Sequence, residues 1–209
     1  MPHFYNFDRL ANSSIMNRSL RTCFIALILM PAFFTSCQKK NPVIEIQTPR
    51  GNISIELFVD KAPVTAGNFL KLVREHVLDG GSFYRTVRGV NDTNPIKIDV
   101  LQGGTQGKDN IPDIKPIAHE TTKTTGIRHL DGVVSMARST PGTAKSEFFI
   151  CINDQPELDF GGRRNPDGQG FAAFGKVTEG IELVRQIWRG PAAGQKIDPP
   201  VRIHKIVVK

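Results

Sequence analysis

Short runs alternating apolar and polar residues, each closed by glycine, proline or aspartate, recur from residue 43 to the end of the chain. Period-two alternation puts successive side chains on opposite faces, so each run suits a strand with one buried face. "VIEIQTPRGNISIELF" alternates on both sides of "TPRGN" and reads as a hairpin. "GSFYRTV", "IKIDVLQGG", "GVVSMA", "EFFICI", "GFAAFGKV" and "PVRIHKIVVK" bring the expected total to about eight strands. In "IKIDVLQGG", Ile96, Ile98, Val100 and Gln102 fall on one face; in the closing run Val201, Ile203 and Ile206 face in. Only two stretches have helical spacing. "APVTAGNFLKLVREHV" sets Val64, Phe69, Leu70 and Val73 on one face with Pro63 near its start, and "GIELVRQIW" carries Ile181, Leu183, Val184, Ile187 and Trp188. Strands and helices do not alternate as in a parallel α/β sheet. The pattern specifies a mainly β fold, an antiparallel barrel or sandwich with helices capping it.

Of the chain's thirteen phenylalanines, eight lie between Phe58 and Phe174 and supply aromatic bulk for the core. Packing must hold that core, because cysteine does not. Cys23 and Cys37 lie near the N-terminus and Cys151 stands alone beyond them, so the domain has no internal disulfide.

The N-terminal stretch reads as a targeting segment. "MNRSLRTCFIALILMPAFFTSC" begins at Met16 with Arg18 and Arg21, then runs apolar from Cys23 to Phe34. A positive start, a short apolar run and small residues before a cysteine mark a secretory signal. The run is shorter than the ~20 residues a spanning helix needs. "FTSC" resembles the lipobox of bacterial lipoproteins, whose cysteine is diacylated and becomes the new N-terminus; an ordinary cleaved signal is the alternative. Residues 1–15 do not fit a signal, and Met16 is the expected start. The expected division is a leader over 1–36, a tether over 37–42 lipidated on Cys37, and one domain over 43–209. Gln38, not aspartate, follows the cysteine, which by analogy favours a periplasm-facing anchor in the outer rather than the inner membrane.

The net charge of +7 is scattered through "QKKN", "GGRR" and "RIHK", the pattern of a solvated surface and not of a nucleic-acid binder. His76, His119, His129 and His204 lie apart without metal-ligand spacing, so no metal is expected. "GGTQG" and "GGRRNPDGQG" do not lead into Gly-Lys-Ser/Thr as a phosphate loop does, and there is no Gly-x-Ser-x-Gly elbow. Cys151, inside "FFICIN", reads as a structural thiol.

Two features survive this screen. In "SFYRTV", strict alternation puts Phe83, Arg85 and Val87 on one side, and a guanidinium between apolar neighbours needs a partner or a task. In "SEFFICIND", Phe148, Ile150 and Ile152 supply a core face while Phe149 points the other way. Either a helix covers Phe149 or it floors a concave apolar pocket.

"VTAGNFLKLV", "SFYRTV", "VLQGGTQG", "GVVSMARSTPGTAKSEFFICINDQPELD" and "GFAAFGKVTEGIELV", in this order over residues 43–208, resemble the cyclophilin family of peptidyl-prolyl isomerases. The resemblance implies an eight-stranded antiparallel β-barrel capped by two α-helices, in agreement with the count of elements. It implies a cofactor-free enzyme, a monomer, that accelerates X–Pro isomerisation in proline-containing peptides and unfolded proteins. A proline-peptide binding module with weak or lost catalysis is the alternative on the same fold. Carried over by position, Arg85 matches the catalytic arginine. Val100, Gln102, Ala137, Phe149, Leu158 and Phe171 match the substrate-binding positions, with Phe149 the floor of the proline pocket.

The chain departs from the family at several of these places. Asp99 stands where the family has an aromatic three positions before the glutamine, leaving the pocket less apolar. Glu147 replaces the Gln of Ser-Gln-Phe-Phe; it would either pair with Arg85 or favour basic and polar peptides. Glu157 replaces an aromatic that supports binding of the inhibitor cyclosporin, so weak inhibition is expected. Tyr84 replaces the histidine before the arginine, and "VRGVNDTNPIKIDV" inserts a loop beside the site.

Overall fold

The computed structural model describes residues 40–209. The leader over 1–36 and Cys37 lie outside the described residues, and the tether enters them only at Lys40. β1 (Val43–Thr48) and β2 (Gly51–Leu57) form the expected hairpin, with Ile44 opposite Ile55 and Ile46 opposite Ile53. All four side chains are fully buried, so this hairpin turns one face to the core. α1 (Pro63–Arg74), β3 (Ser82–Val87), β4 (Val100–Gly104) and a single-turn α2 (Thr122–Thr125) follow. Next come β5 (Val133–Met136), β6 (Phe148–Cys151), a 3-10 turn at Pro156–Leu158 and β7 (Ala172–Glu179). α3 (Ile181–Trp188), β8 (Ala192–Ala193), β9 (Lys196–Arg202) and β10 (Lys205–Val208) complete the chain.

The pairings are antiparallel, in the order β10-β1-β2-β7-β5-β6-β4-β3-β9-β8. β10 lies at one end of this sheet and β9 beside the other, yet only Ile203 and His204 separate them in sequence. The Ile203 N–H donates to the Gly81 carbonyl just ahead of β3, and the His204 N–H donates to the Gln47 carbonyl in β1, each at 2.8 Å. The sheet therefore curls until its two ends meet, as a barrel does, leaving little open edge. Ten strands stand where eight were expected because "PVRIHKIVVK" divides to serve both ends and the two-residue β8 adds to β9.

Phenylalanines fill the interior: Phe69 meets Phe148 edge-on at 5.3 Å between centroids and Phe174 at 4.9 Å, and Phe83 meets Phe148 at 5.9 Å. α1 delivers Phe69. It starts at Pro63, whose missing N–H is not needed in a first turn. The Glu120 carboxylate accepts the next two N–H groups, of Val64 at 3.1 Å and Thr65 at 2.6 Å, where the helix dipole favours negative charge. Its buried stripe is Thr65, Ala66, Phe69, Leu70, Leu72 and Val73. At 3.6 residues per turn Val64 lies on the far side of that stripe, and it is 43% exposed where burial was expected. The expected strand beginning at Ile96 is also shorter than read: residues 88–99 are a loop, and β4 begins at Val100.

Candidate active site

β3 changes faces at one position. Phe83 sits opposite Gly103 and Arg85 opposite Gln102, which makes Tyr84 the extra residue of a β-bulge. Phe83 therefore points into the core, while Tyr84 and Arg85 both reach Gln102 on the outside of the barrel. Beyond the bulge, Val87 joins an outer apolar cluster with Val100 and Phe149. The expectation that Phe83 shares a face with Arg85 is thus corrected, because strict alternation fails where one strand carries a residue its partner lacks. α3 ties this stretch down: Thr86 Oγ1 donates to the Trp188 carbonyl at 2.7 Å and Trp188 Nε1 to the Val87 carbonyl at 2.8 Å.

Arg85 is held by amides. Its Nη1 donates to Gln102 Oε1 at 2.8 Å, and its Nε and Nη2 donate to Gln195 Oε1 at 2.9 and 2.6 Å. Three of its five N–H donors are engaged, two remain, and these acceptors carry no charge. Burial lowers its pKa from the ordinary value, but a guanidinium stays protonated across the physiological range. Gln102 Nε2 donates to the Tyr84 hydroxyl at 2.6 Å, and that hydroxyl donates to Glu147 Oε2 at 2.7 Å. Burial, then the charge and hydrogen bond of Glu147, push the Tyr84 phenol well above its ordinary value, so it remains neutral. Glu147 Oε1 accepts from the Thr105 N–H at 2.8 Å and Thr105 Oγ1 at 2.9 Å. A Cβ on Gly104 (φ +152°) would come within 2.4 Å of the Glu147 carboxylate, which explains the second glycine of "QGG".

Arg85, Val100, Gln102, Ala137, Phe149 and Phe171 line one cavity of about 290 Å³. The remaining expected residues fall elsewhere. Leu158 is fully buried in the outer apolar cluster, behind the lining. Asp99 turns away, its Oδ1 accepting the Gly89 N–H at 3.0 Å, and Ile98 supplies an apolar side chain to the cavity. Glu147 binds Tyr84 and lines an adjoining polar cavity; Tyr84 and Gln102 stand between it and Arg85, so the two are not paired. Glu157 pairs at the surface with Arg163 at 2.7 Å, and those hydrogen bonds hold its carboxyl below the usual range.

Phe149 itself is held by two aromatic rings. The His129 ring stacks on it at 6.1 Å and 17°, and Phe171 meets it edge-on at 5.2 Å and 88°. Buried His129 is fixed by Asp159 Oδ1 at 2.8 Å from Nδ1 and by Ser135 Oγ at 3.0 Å from Nε2. On the other side the Arg138 guanidinium lies 5.2 Å over Phe171 and forks onto Asp167 at 2.8 and 2.9 Å. Arg138 thereby draws the Asp167 carboxyl down to about 2. Cys151 is buried and free, and burial pushes its thiol up, which makes it a poor nucleophile.

Sequence reading missed Gln195, Ile98, Arg138 and Arg164 at this cavity or on Arg85. Gln195 lies 110 positions from Arg85 and sits in a turn without a local signal. Ile98 lies in a loop where alternation predicts a strand, although that alternation does place it on one face with Val100.

A barrel with a cation held beside an apolar, phenylalanine-floored cavity is equipped to seat a small ring next to a polar bond. The chain belongs to the cyclophilin-type peptidyl-prolyl cis-trans isomerases, whose family model matches residues 43–208. It is 30% identical over 194 residues to a peptidyl-prolyl cis-trans isomerase of Acinetobacter baylyi, covering 88% of this chain and 95% of the relative. It is 31% identical over 156 residues to peptidyl-prolyl cis-trans isomerase B of Escherichia coli, covering 73% and 87%. A crystal structure of a cyclophilin-type isomerase from Cryptosporidium parvum superposes with a TM-score of 0.64 at 23% identity, over 81% of this chain and 98% of that one. A second structure of that protein, determined in the presence of the dipeptide Ala-Pro, gives a TM-score of 0.60 at 22% identity, over 80% and 98%.

Proposed function

We propose that this chain accelerates cis–trans isomerisation of X–Pro bonds in polypeptides folding in the bacterial envelope, with Arg85 as the catalytic donor. Rotation about the bond breaks amide resonance, against a barrier of about 18–20 kcal/mol. Lowering it takes no nucleophile and no proton transfer. It takes a seat for the prolyl ring and a donor aimed at the prolyl nitrogen, whose lone pair emerges as conjugation is lost. A donor that binds the twisted amide better than the planar one lowers the barrier. Phe149, Val100, Ala137 and Phe171 offer the seat, and the second Nε2 hydrogen of Gln102 is available to a substrate carbonyl.

The observation that carries this reading is that Arg85 stands at the cavity with donors to spare and only neutral amides holding it. Isomerisation of a proline peptide, followed with wild type beside Arg85→Ala, tests it. Wild-type acceleration that Arg85→Ala abolishes is the expected result. An uncatalysed rate with intact peptide binding would leave only a proline-peptide binding module.

The location is a second part of the proposal. The signal-like segment and "FTSC" support a lipid on Cys37, and Gln38 after it supports an outer-membrane anchor facing the periplasm; the likeness to the family supports a domain acting as a monomer. Mass spectrometry of the mature N-terminus is expected to find an acylated Cys37. An unmodified Cys37, or cleavage elsewhere, would overturn the anchor.

A further inference from the structure

One wall of the proline cavity comes from no strand. Asn94 and Ile98, from the loop between β3 and β4, line it together with Arg164 and Asn165, from the loop that precedes β7. These loops meet through a single ion pair. Arg164 Nη1 lies 2.5 Å from Asp92 Oδ2, and Nη2 lies 3.2 Å from Oδ1. Arg164 Nη1 also donates to the Ile96 carbonyl. The Asp92 carboxylate accepts two N–H groups of its own loop, from Asn94 at 3.1 Å and Ile98 at 3.2 Å. Both side chains are nearly enclosed, 2% exposed for Asp92 and 11% for Arg164.

A buried ion pair is a poor source of net stability, because removing both charges from water offsets most of their attraction. What a forked guanidinium–carboxylate contact supplies is fixed distance and fixed angle. Here it fixes Ile98. That residue lies outside any strand, its N–H is spent on Asp92, and its side chain packs with Val100 and Phe149 in the outer cluster.

We propose that Asp92 and Arg164 are positioning residues for the proline cavity, holding Ile98 as a wall against which the prolyl ring packs. They act on how well the ring is seated, and neither hydrogen-bonds to Arg85, whose partners are Gln102 and Gln195. The inference rests on the isomerase reading above.

Steady-state isomerisation kinetics of the full chain on an X–Pro peptide test it. The double variant Asp92→Asn/Arg164→Gln removes both charges and leaves neither one buried alone. KM is expected to rise about tenfold with kcat within about twofold, the scale of a lost apolar contact to substrate. Ile98→Ala, with the ion pair intact, is expected to raise KM similarly, and adding it to the double variant to raise KM no further. A pair that merely stabilised the fold would not produce this non-additivity. Wild-type KM in a folded double variant overturns the proposal, as does a fall in kcat at constant KM, or full additivity with Ile98→Ala. Should the double variant fail to fold at the assay temperature, Ile98→Ala alone decides, an unchanged KM overturning the proposal. A wild-type chain without isomerase activity sinks the isomerase reading instead. In that event prolyl-peptide affinity, titrated with the same variants, reads the same wall.

Discussion

Arg85 and Gln102 face each other across the β3–β4 ladder, and their side chains meet at 2.8 Å on the outside of the barrel. The ladder thus sets the height of the guanidinium above the cavity floor, and the bulge at Tyr84 sets its direction. Removing the guanidinium should remove the chemistry without disturbing the core. Arg85→Ala is expected to lower kcat/KM by about 10²- to 10³-fold, the usual loss for one preorganised donor. Arg85→Lys should recover little, since an ammonium lacks the planar fork that spans Gln102 and Gln195. An isomerisation assay beside a thermal melt separates the two effects.

Gln195 should behave as a positioning residue. It accepts two of the three hydrogen bonds on Arg85, and its Nε2 donates to the Asn91 carbonyl in the inserted loop at 3.1 Å. Gln195→Ala is expected to cut kcat roughly tenfold, in keeping with the ~1.5–3 kcal/mol of hydrogen bonds to a charged group. Gln195→Glu offers the sharper comparison. It keeps the acceptor but places a carboxylate on Arg85, and kcat should fall because the guanidinium is drawn away from the prolyl nitrogen.

Glu147 holds Tyr84 rather than Arg85, so its replacement should be tolerated. Glu147→Gln is expected to retain catalysis within about threefold, less than the loss of a full charged hydrogen bond. Its signature is spectroscopic. The raised phenol pKa of Tyr84 should move back toward its ordinary value of about 10 in an ultraviolet titration of wild type against variant. The sign for stability follows. A folded pKa above the unfolded one supplies stability that is complete below about pH 10 and is lost as pH climbs toward the folded value.

Asp159 should give the fold an acid limb. Burial by itself would raise its carboxyl; the hydrogen bonds and charge of His129, with Arg128, outweigh that and hold it below the ordinary value. Its contribution is therefore present above about pH 4 and is lost as pH falls through the lower folded value. Asp159→Asn is expected to flatten the dependence of the melting temperature on pH between about 4 and 2. Because Asp159 orients the ring beneath Phe149, the same variant should raise KM for proline peptides.

Much of the fold was legible because its signals are local. The hairpin at "TPRGN", the outward turn of Phe149 between Phe148 and Ile150, and the helix at Pro63 each follow from a few neighbouring residues. The two places where the fold departs from alternation share a cause. Alternation counted across Tyr84 put Phe83 beside Arg85, and alternation extended back to Ile96 made a strand of a loop. In both places the hydrogen-bonding partner, not the chain itself, decides where the count stops. The site divides the same way. Motif positions led to Arg85, Val100, Gln102, Ala137, Phe149 and Phe171, which share a cavity. Asp99 and Glu147 could not be judged by position, because each turns to a partner the motif does not contain, Gly89 at the far end of the same loop and Tyr84 on β3.

By itself the sequence determined a mainly β chain without a disulfide in its domain, with an arginine set among the apolar residues of one strand and a phenylalanine turned away from the core face of another. Periodicity and residue chemistry suffice for that, because a strand's two faces are set by its own covalent geometry. Only the tertiary structure decided what holds the arginine and what walls the cavity. Gln195 reaches Arg85 across 110 residues and Arg164 reaches Asp92 across 72. Contacts at such separation exist only once the barrel has closed.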